Sequence, residues 1–430
     1  MKKQPKRVEI RSYQVGFGDC FLISFVYGTT DKRHVLIDFG TTGLPKNGKP
    51  SVHMKRIAEQ IKADCAPTGR LTAIVATHRH ADHISGFGTD GKTGQSGLVI
   101  KDLRPKRVLQ PWTEDPNARP TARQATTNGS NKGFVAALAT MNDLAARVER
   151  LVSAKPAWMS ATVRRELQFL GGDNIANKSA IENLIAMGEA KGAKSLYLRY
   201  GAKSGLEALL PGVKVRVLGP PDLTQTNAIR KQRQKDPQEF WQLVSGMVPL
   251  KAGAAARHLG GASSRAGVPV EGRWFRDRLV SQAGRGLLEI VRQLDQQMNN
   301  TSLILLFEVF GKKLLFPGDA QLENWSYALA ESKNSKENAK LLAGVDFYKV
   351  GHHGSLNATP KKLLWENFAK RKGKVLRTMV STMPGKHGSK TSKTEVPRAT
   401  LLAALKDGSR LKSTVDLGAT DLFNLETIVP

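Results

Sequence analysis

The chain is short of cysteine, of acidic residues and of long apolar runs. Two cysteines among 430 residues, Cys20 and Cys65, exclude a disulfide framework and point to a reducing, cytoplasmic setting. No stretch reaches the ~18 apolar residues that a membrane span needs. Met1 to Arg7 is basic, but Val8-Glu9-Ile10-Arg11 follows where a secretory signal would carry its apolar core. Fixed-period repeats are absent, which argues against a solenoid or propeller. Asp and Glu number only 37 against 66 Lys and Arg, for a formal charge of +29 and a pI near 10.2. That imbalance favours polyanionic partners such as nucleic acid, nucleotides or an anionic membrane face, with a solubilising basic surface as the plainer reading.

What is present is a core-forming composition, 40% hydrophobic, on a chain long enough for one large domain with insertions or two modest ones. Alternation and β-forming residues predict strands at Val8 to Val15, Cys20 to Tyr27 and Val35 to Ile37, then at Leu71 to Ala76 and Val108-Leu109. Further strands are predicted at Ser195 to Tyr200, Lys214 to Leu218, Ser302 to Phe310, Lys313 to Phe316, Phe347 to Val350 and Val375 to Ser381. Helical spacing marks Ser51 to Ala63, with Met54, Ile57, Ala58 and Ile61 on one face, and Val396 to Leu405. Two segments break the pattern. Residues 115–192 read as a helical insertion, with helices at Gly133 to Ser153, Ala161 to Leu170 and Ser179 to Ala190. Residues 221–297 are basic and partly flexible in character, and their Gly/Ala/Ser-rich centre runs from Ala252 to Gly267. Strand-rich halves with interposed helices indicate an α/β or α+β sandwich.

Three motifs carry chemistry. In Thr77-His78-Arg79-His80-Ala81-Asp82-His83, His78 and His80 project to one side of an extended segment, and Asp82 and His83 follow where the chain turns. Four ligand-type side chains in six residues, three of them drawn from only nine histidines in the chain, suit a divalent metal. Phe316-Pro317-Gly318-Asp319 ends an apolar strand with an aspartate able to bridge ions. Lys349-Val350-Gly351-His352-His353-Gly354-Ser355 sets adjacent histidines at a strand end, one to bind metal and the other to give a hydrogen bond or proton to a leaving group. A cation in such a cage makes water acidic enough to supply hydroxide near neutral pH.

Together these motifs resemble the metallo-β-lactamase superfamily, and within it the hydrolase domains of ComEC-type competence proteins. The resemblance also takes in Val15-Gly16-Phe17-Gly18-Asp19, Ile37-Asp38-Phe39-Gly40, Asn300-Thr301-Ser302-Leu303 and Val396-Pro397. It implies a metallo-β-lactamase-type αββα sandwich spanning residues 1–430 as a single domain, interrupted by the two insertions. By the same resemblance His78 and His80 bind a first ion, Asp82 and His83 a second, and Asp319 touches both. His353 matches the late ligand, although the sequence does not separate it from His352. Asp82, His352 and His353 carry the catalytic roles, and Asp19 and Asp38 brace the ligand loops. The cofactor is one or two divalent ions, zinc or manganese. One departure stands out. Many members supply a further histidine before the bridging aspartate, and the only candidate here is His258, inside the Gly/Ala-rich insertion.

The resemblance and the charge together point to a phosphodiesterase or nuclease acting on DNA or RNA. Lys361, Lys362, Lys370, Arg371 and Lys372 surround Trp365 and Phe368, a combination suited to phosphate contact and base stacking. Arg230 to Lys235 and Trp274-Phe275-Arg276 add similar basic character. Two rivals are a small-molecule hydrolase acting on a lactone, thioester or lactam, and a nucleic-acid-binding protein with a degenerate metal site. The insertions are also places where a protein partner would dock.

Overall fold

The structure, a computed structural model, describes residues 3–44, 48–116, 177–226, 228, 298–369, 373, 375–388, 395–418 and 420–430. Most of both insertions lies outside these residues. So do His258, Lys370, Arg371, Lys372, Arg230 to Lys235, Trp274 to Arg276, and the helices expected at 133–153 and 161–170.

Among the described residues, thirteen strands form two mixed sheets. The first contains β1 (Arg7–Tyr13), β2 (Cys20–Val26), β3 (Lys32–Phe39), β4 (Ala73–Val75), β5 (Val108–Pro111) and β6 (Ser195–Leu198). The second contains β7 (Val213–Gly219), β8 (Ile304–Val309), β9 (Lys312–Phe316), β10 (Phe347–Lys349), β11 (Leu376–Val380) and β12 (Ser409–Ser413). The last strand, β13 (Phe423–Ile428), returns to pair with β1, so the order of the first sheet is β13-β1-β2-β3-β4-β5-β6. Both halves of the chain follow one plan. β1, β2 and β3 are antiparallel and β3 to β6 are parallel; likewise β7, β8 and β9 are antiparallel and β9 to β12 are parallel.

Period-two alternation explains how the sheets stack. Phe21, Ile23 and Phe25 of β2 and Val35 and Ile37 of β3 join Leu305, Phe307 and Val309 of β8 and Phe316 of β9 in one core shared by both sheets. The alternate residues Cys20, Leu22 and Leu36 turn outward, against helices Pro50–Asp64, Ser96–Asp102 and Lys178–Glu189. On the far side, Ile304, Leu306 and Leu315 meet the helical segments Leu322–Glu331, Ser335–Ala343, Lys361–Ala369 and Ala399–Gly408. The layers therefore run helices, sheet, sheet, helices. Met54, Ile57, Ala58 and Ile61 are the buried face of the first helix, and each large member contributes about 1.5–3 kcal/mol by leaving water.

Two sequence expectations change in extent. The helix Lys178–Glu189 buries Ala180, Leu184 and Met187 in the outer core, so the end of the 115–192 segment belongs to the main body. Phe368 is 5% exposed and packs on Tyr348 at 5.1 Å, with Trp365 edge-on to it at 6.3 Å. A ring in that position cannot stack on a base; the exposed Lys361 and Lys362 sit on the first turn of the same segment. Cys20 and Cys65 are both buried thiols. Among the described residues, no helix is long and apolar enough to cross a membrane.

One buried histidine in this frame has a purely structural setting. His34 on β3 lies 2.9 Å from Ser24 Oγ on β2, and burial, reinforced by Lys32 and Arg11, lowers its pKa to about 4. Below pH 6.5 the unfolded chain takes up a proton there that the folded chain refuses, so stability falls as pH drops from 6.5 toward 4. The stability advantage of the native protein over His34→Gln is expected to shrink by about 2 kcal/mol between pH 7 and pH 5, read by denaturant unfolding. Parallel pH profiles for the two proteins would contradict a buried neutral imidazole.

Candidate metal centre

The strand ends converge on one point. Asp19 opens β2, Asp38 is near the end of β3, and the histidine segment leaves β4. Asp319 follows β9 and the histidine pair follows β10. Close backbone approach makes this possible. A Cβ on Gly18 would lie 2.2 Å from Gly40 O and 2.7 Å from Asp82 O, and one on Gly40 would lie 2.4 Å from Ala81 O. Only glycine fits there, and the contact is closed by Asp19 N donating to Asp82 O at 2.8 Å and Gly40 N donating to Asp19 O at 3.1 Å. The sheets are tied at the same level, where Leu303 N donates to Thr77 O (3.0 Å) and Ser381 Oγ donates to Gly18 O (2.5 Å). Asp38, His352 and His353 have φ of +56°, +43° and +52°. Left-handed backbone at residues other than glycine costs about 1–3 kcal/mol each and concentrates where geometry is imposed. At the late motif it sets the paired imidazoles differently: His353 is fully buried, while His352, with 26% of its side chain exposed, still brings Nε2 to 3.8 Å from Asp319 Oδ2.

One ligand atom from each of Asp19, His83, Asp319 and His353 lies within 4.8 Å of every other, and all four residues are buried. Both imidazoles turn Nε2 toward Asp319 Oδ2, at 3.0 and 3.7 Å, while Asp19 stands 3.7 and 3.6 Å from their Nδ1 atoms. His83 Nδ1 lies 2.8 Å from Asp38 Oδ2, and His353 Nδ1 donates to Ser381 O at 3.0 Å. Holding a histidine by its far nitrogen is how proteins fix the tautomer of a metal ligand. Asp38 is held in turn by Thr77 N and Thr77 Oγ1, both at 2.7 Å. Asp82 adjoins the group, with Oδ2 3.1 Å from His353 Nε2 and Oδ1 4.0 Å from His83 Nε2. His78 and His80 face each other, Nε2 to Nδ1 at 3.0 Å, with the His78 ring 4.2 Å from that of His83.

The electrostatics are those of carboxylates crowded out of water. Burial opposes ionisation of Asp82 and Asp319, but His83 and the neighbouring imidazoles outweigh it and hold both below the carboxylate range. Burial equally disfavours charge on His83, yet Asp319, Asp38 and Asp82 raise it well above its ordinary value. Asp38 is raised by burial despite His83. His78, burial-dominated and beside two other imidazoles, is held well below its ordinary value. Asp19 Oδ1 and Asp82 Oδ1 are buried carboxylate oxygens that receive no hydrogen bond. Oxygens and imidazole nitrogens converging this way could hold a metal ion.

The placement sharpens the sequence reading. Asp38 braces His83, whereas Asp19, expected only to brace, brings its carboxylate into the four-residue group. His83, Asp319 and the buried His353 meet there, and His352 borders the group through Asp319. His78, His80 and Asp82 border the group. Two further residues, one of them the first of the late motif, were given no role by the sequence. Lys349 is buried against Asp19. His387 stands at the rim: Phe17 lies between its ring (4.3 Å) and that of His353 (4.4 Å). Its only sequence signal was its residue type, since it sits in a Lys-rich loop without ligand spacing. No protein-family model matches this chain, and no curated protein matches its sequence.

Mn²⁺ or Zn²⁺ at 100 times its Kd is expected to raise unfolding stability by about 2.7 kcal/mol. In His83→Ala and in Asp319→Asn that gain should vanish, while in His352→Ala it should persist. Equal stabilisation of all four proteins by the ion would show that it binds elsewhere. Gly40→Ala is expected to abolish the metal-dependent gain as well, because its Cβ displaces the Ala81–His83 backbone.

Proposed function

We propose that this chain is a metal-dependent hydrolase with the metallo-β-lactamase αββα fold, ComEC-like, acting on phosphodiester bonds of DNA or RNA. The observation that carries the reading is the buried convergence of Asp19, His83, Asp319 and His353, with Asp82 alongside, at the ends of strands from both sheets. The strand plan of two half-antiparallel, half-parallel sheets between helical layers is in keeping with that fold. The formal charge of +29 favours a polyanionic substrate over a lactone, thioester or lactam.

His83, His353, Asp82, Asp319 and Asp19 would hold the ion, and His78 and His80 would serve another if two are bound. A bound divalent ion acidifies water and neutralises charge on the departing oxygen. Asp38 and Ser381 O keep the two ligating imidazoles oriented. His352 and His387, part-exposed at the mouth, have pKa values lowered to about 4 by burial, so both are neutral at pH 7. A neutral imidazole at the rim offers a hydrogen bond to a phosphoryl or leaving oxygen without repelling the cation. His352 is held for this by Ser355 Oγ, 2.8 Å from its Nδ1.

Labelled single- and double-stranded DNA and RNA are expected to be cleaved in Mn²⁺ or Zn²⁺ and spared in chelator. The double variant Asp82→Ala, His83→Ala should still bind nucleic acid, with affinity falling steeply as salt rises, while losing at least about 100-fold in cleavage rate. Turnover confined to lactones, thioesters or lactams would overturn the phosphodiester assignment. Nucleic-acid binding with no turnover of any substrate would mark a decayed centre.

A further inference from the structure

The last residue of β10 is a lysine turned inward. Lys349 is 2% exposed, on a strand flanked by β9 and β11. Its ammonium pairs with Asp19 Oδ2, donates to Gly318 O at 3.2 Å and stands 3.7 Å from Asp319 Oδ1. A lysine this deep is retained only where its charge is met, since an unpaired buried ammonium costs several kcal/mol. Here it is met by two carboxylates that also belong to the candidate ligand group.

Each of those carboxylates is divided between two tasks. Asp319 Oδ1 faces Lys349 and accepts from His352 N–H at 3.1 Å. Its Oδ2 lies 3.0 Å from His83 Nε2 and 3.7 Å from His353 Nε2. Asp19 Oδ2 is taken by Lys349, and Oδ1 is left toward the histidine side, 3.6 Å from His353 Nδ1. An aspartate carboxyl rotates about a broad, nearly two-fold torsion, so nothing in its own geometry selects the oxygen it presents. A fixed cation on one oxygen does.

We propose that Lys349 is a positioning residue for the metal centre. Its buried ammonium claims one oxygen of Asp19 and one of Asp319, and so directs the remaining oxygen of each at the divalent ion. The inference rests on the metal-centre reading above and adds a determinant of how that centre coordinates. The ammonium touches the ligands and not the reacting atoms, so its effect is expected in ion affinity and coordination geometry.

The test uses the full chain and Co²⁺, whose visible d–d bands respond to the oxygens bound, with Mn²⁺ calorimetry for affinity. Lys349→Met keeps length and removes charge. It is expected to bind Mn²⁺ about 10- to 100-fold more weakly and to shift the position and intensity of the Co²⁺ bands. Asp19→Asn/Lys349→Met buries one less uncompensated carboxylate and serves where the single variant does not fold; its Co²⁺ spectrum should differ from that of Asp19→Asn alone. A lysine that only fills space or neutralises charge would lower the melting temperature and leave these spectra alone. Wild-type affinity and an unchanged spectrum in Lys349→Met would overturn the proposal. So would identical spectra for the double variant and Asp19→Asn. Failure of the unaltered protein to bind either ion would overturn the metal centre itself, and this role with it.

Discussion

Asp19, Asp38, Asp82 and Asp319 are all buried within one small volume where the two sheets end. Removing four carboxylates from water is among the most expensive things a fold can do, and it is tolerated only where positive partners stand within a few ångströms. Most local features of this region answer that demand. His83 lies against Asp38 on one side and Asp319 on the other. His353 reaches Asp82, and Lys349 reaches Asp19. The left-handed backbone at Asp38, His352 and His353 and the glycine contacts at 18 and 40 are what bring those partners to distance.

Topology explains why the demand arises at that place. In each half, three antiparallel strands lead into three parallel ones, and loops leaving the carboxyl ends of parallel strands collect on one edge. The histidine segment leaves β4, the aspartate leaves β9, the histidine pair leaves β10 and Ser381 follows β11. Because the sheets share a core and are cross-tied at Thr77–Leu303 and Gly18–Ser381, both edges meet at the same group of side chains. Each half alone carries an incomplete donor set, and only their apposition completes it.

Much of this was legible from the chain. The strands expected at 20–27, 214–218 and 313–316 and the first helix fall within a residue or two of the observed β2, β7, β9 and Pro50–Asp64, since period and residue type determine which face is buried. The clustering of ligand-type residues at 78–83, 319 and 352–353 was visible because short loops at strand ends keep such residues close in sequence. Asp19's part in the candidate group, the separation of His353 from His352, and the places of Lys349 and His387 beside it were not visible. Each depends on which way a side chain turns after the backbone leaves its strand. The buried Phe368 makes the same point in reverse, for an aromatic beside lysines looks like a stacking platform until a neighbouring sheet covers it.

Sequence by itself therefore determined the alternating strands, the amphipathic helices, the positions of the chemically able residues and the strong positive charge, all of which follow from local periodicity and residue type. Tertiary structure alone decided which of those residues meet. Convergence of Asp19, His83, Asp319 and His353 spans more than 330 residues of chain, and it is enforced by packing between two sheets and by glycine-permitted backbone contact, neither of which has a local signature.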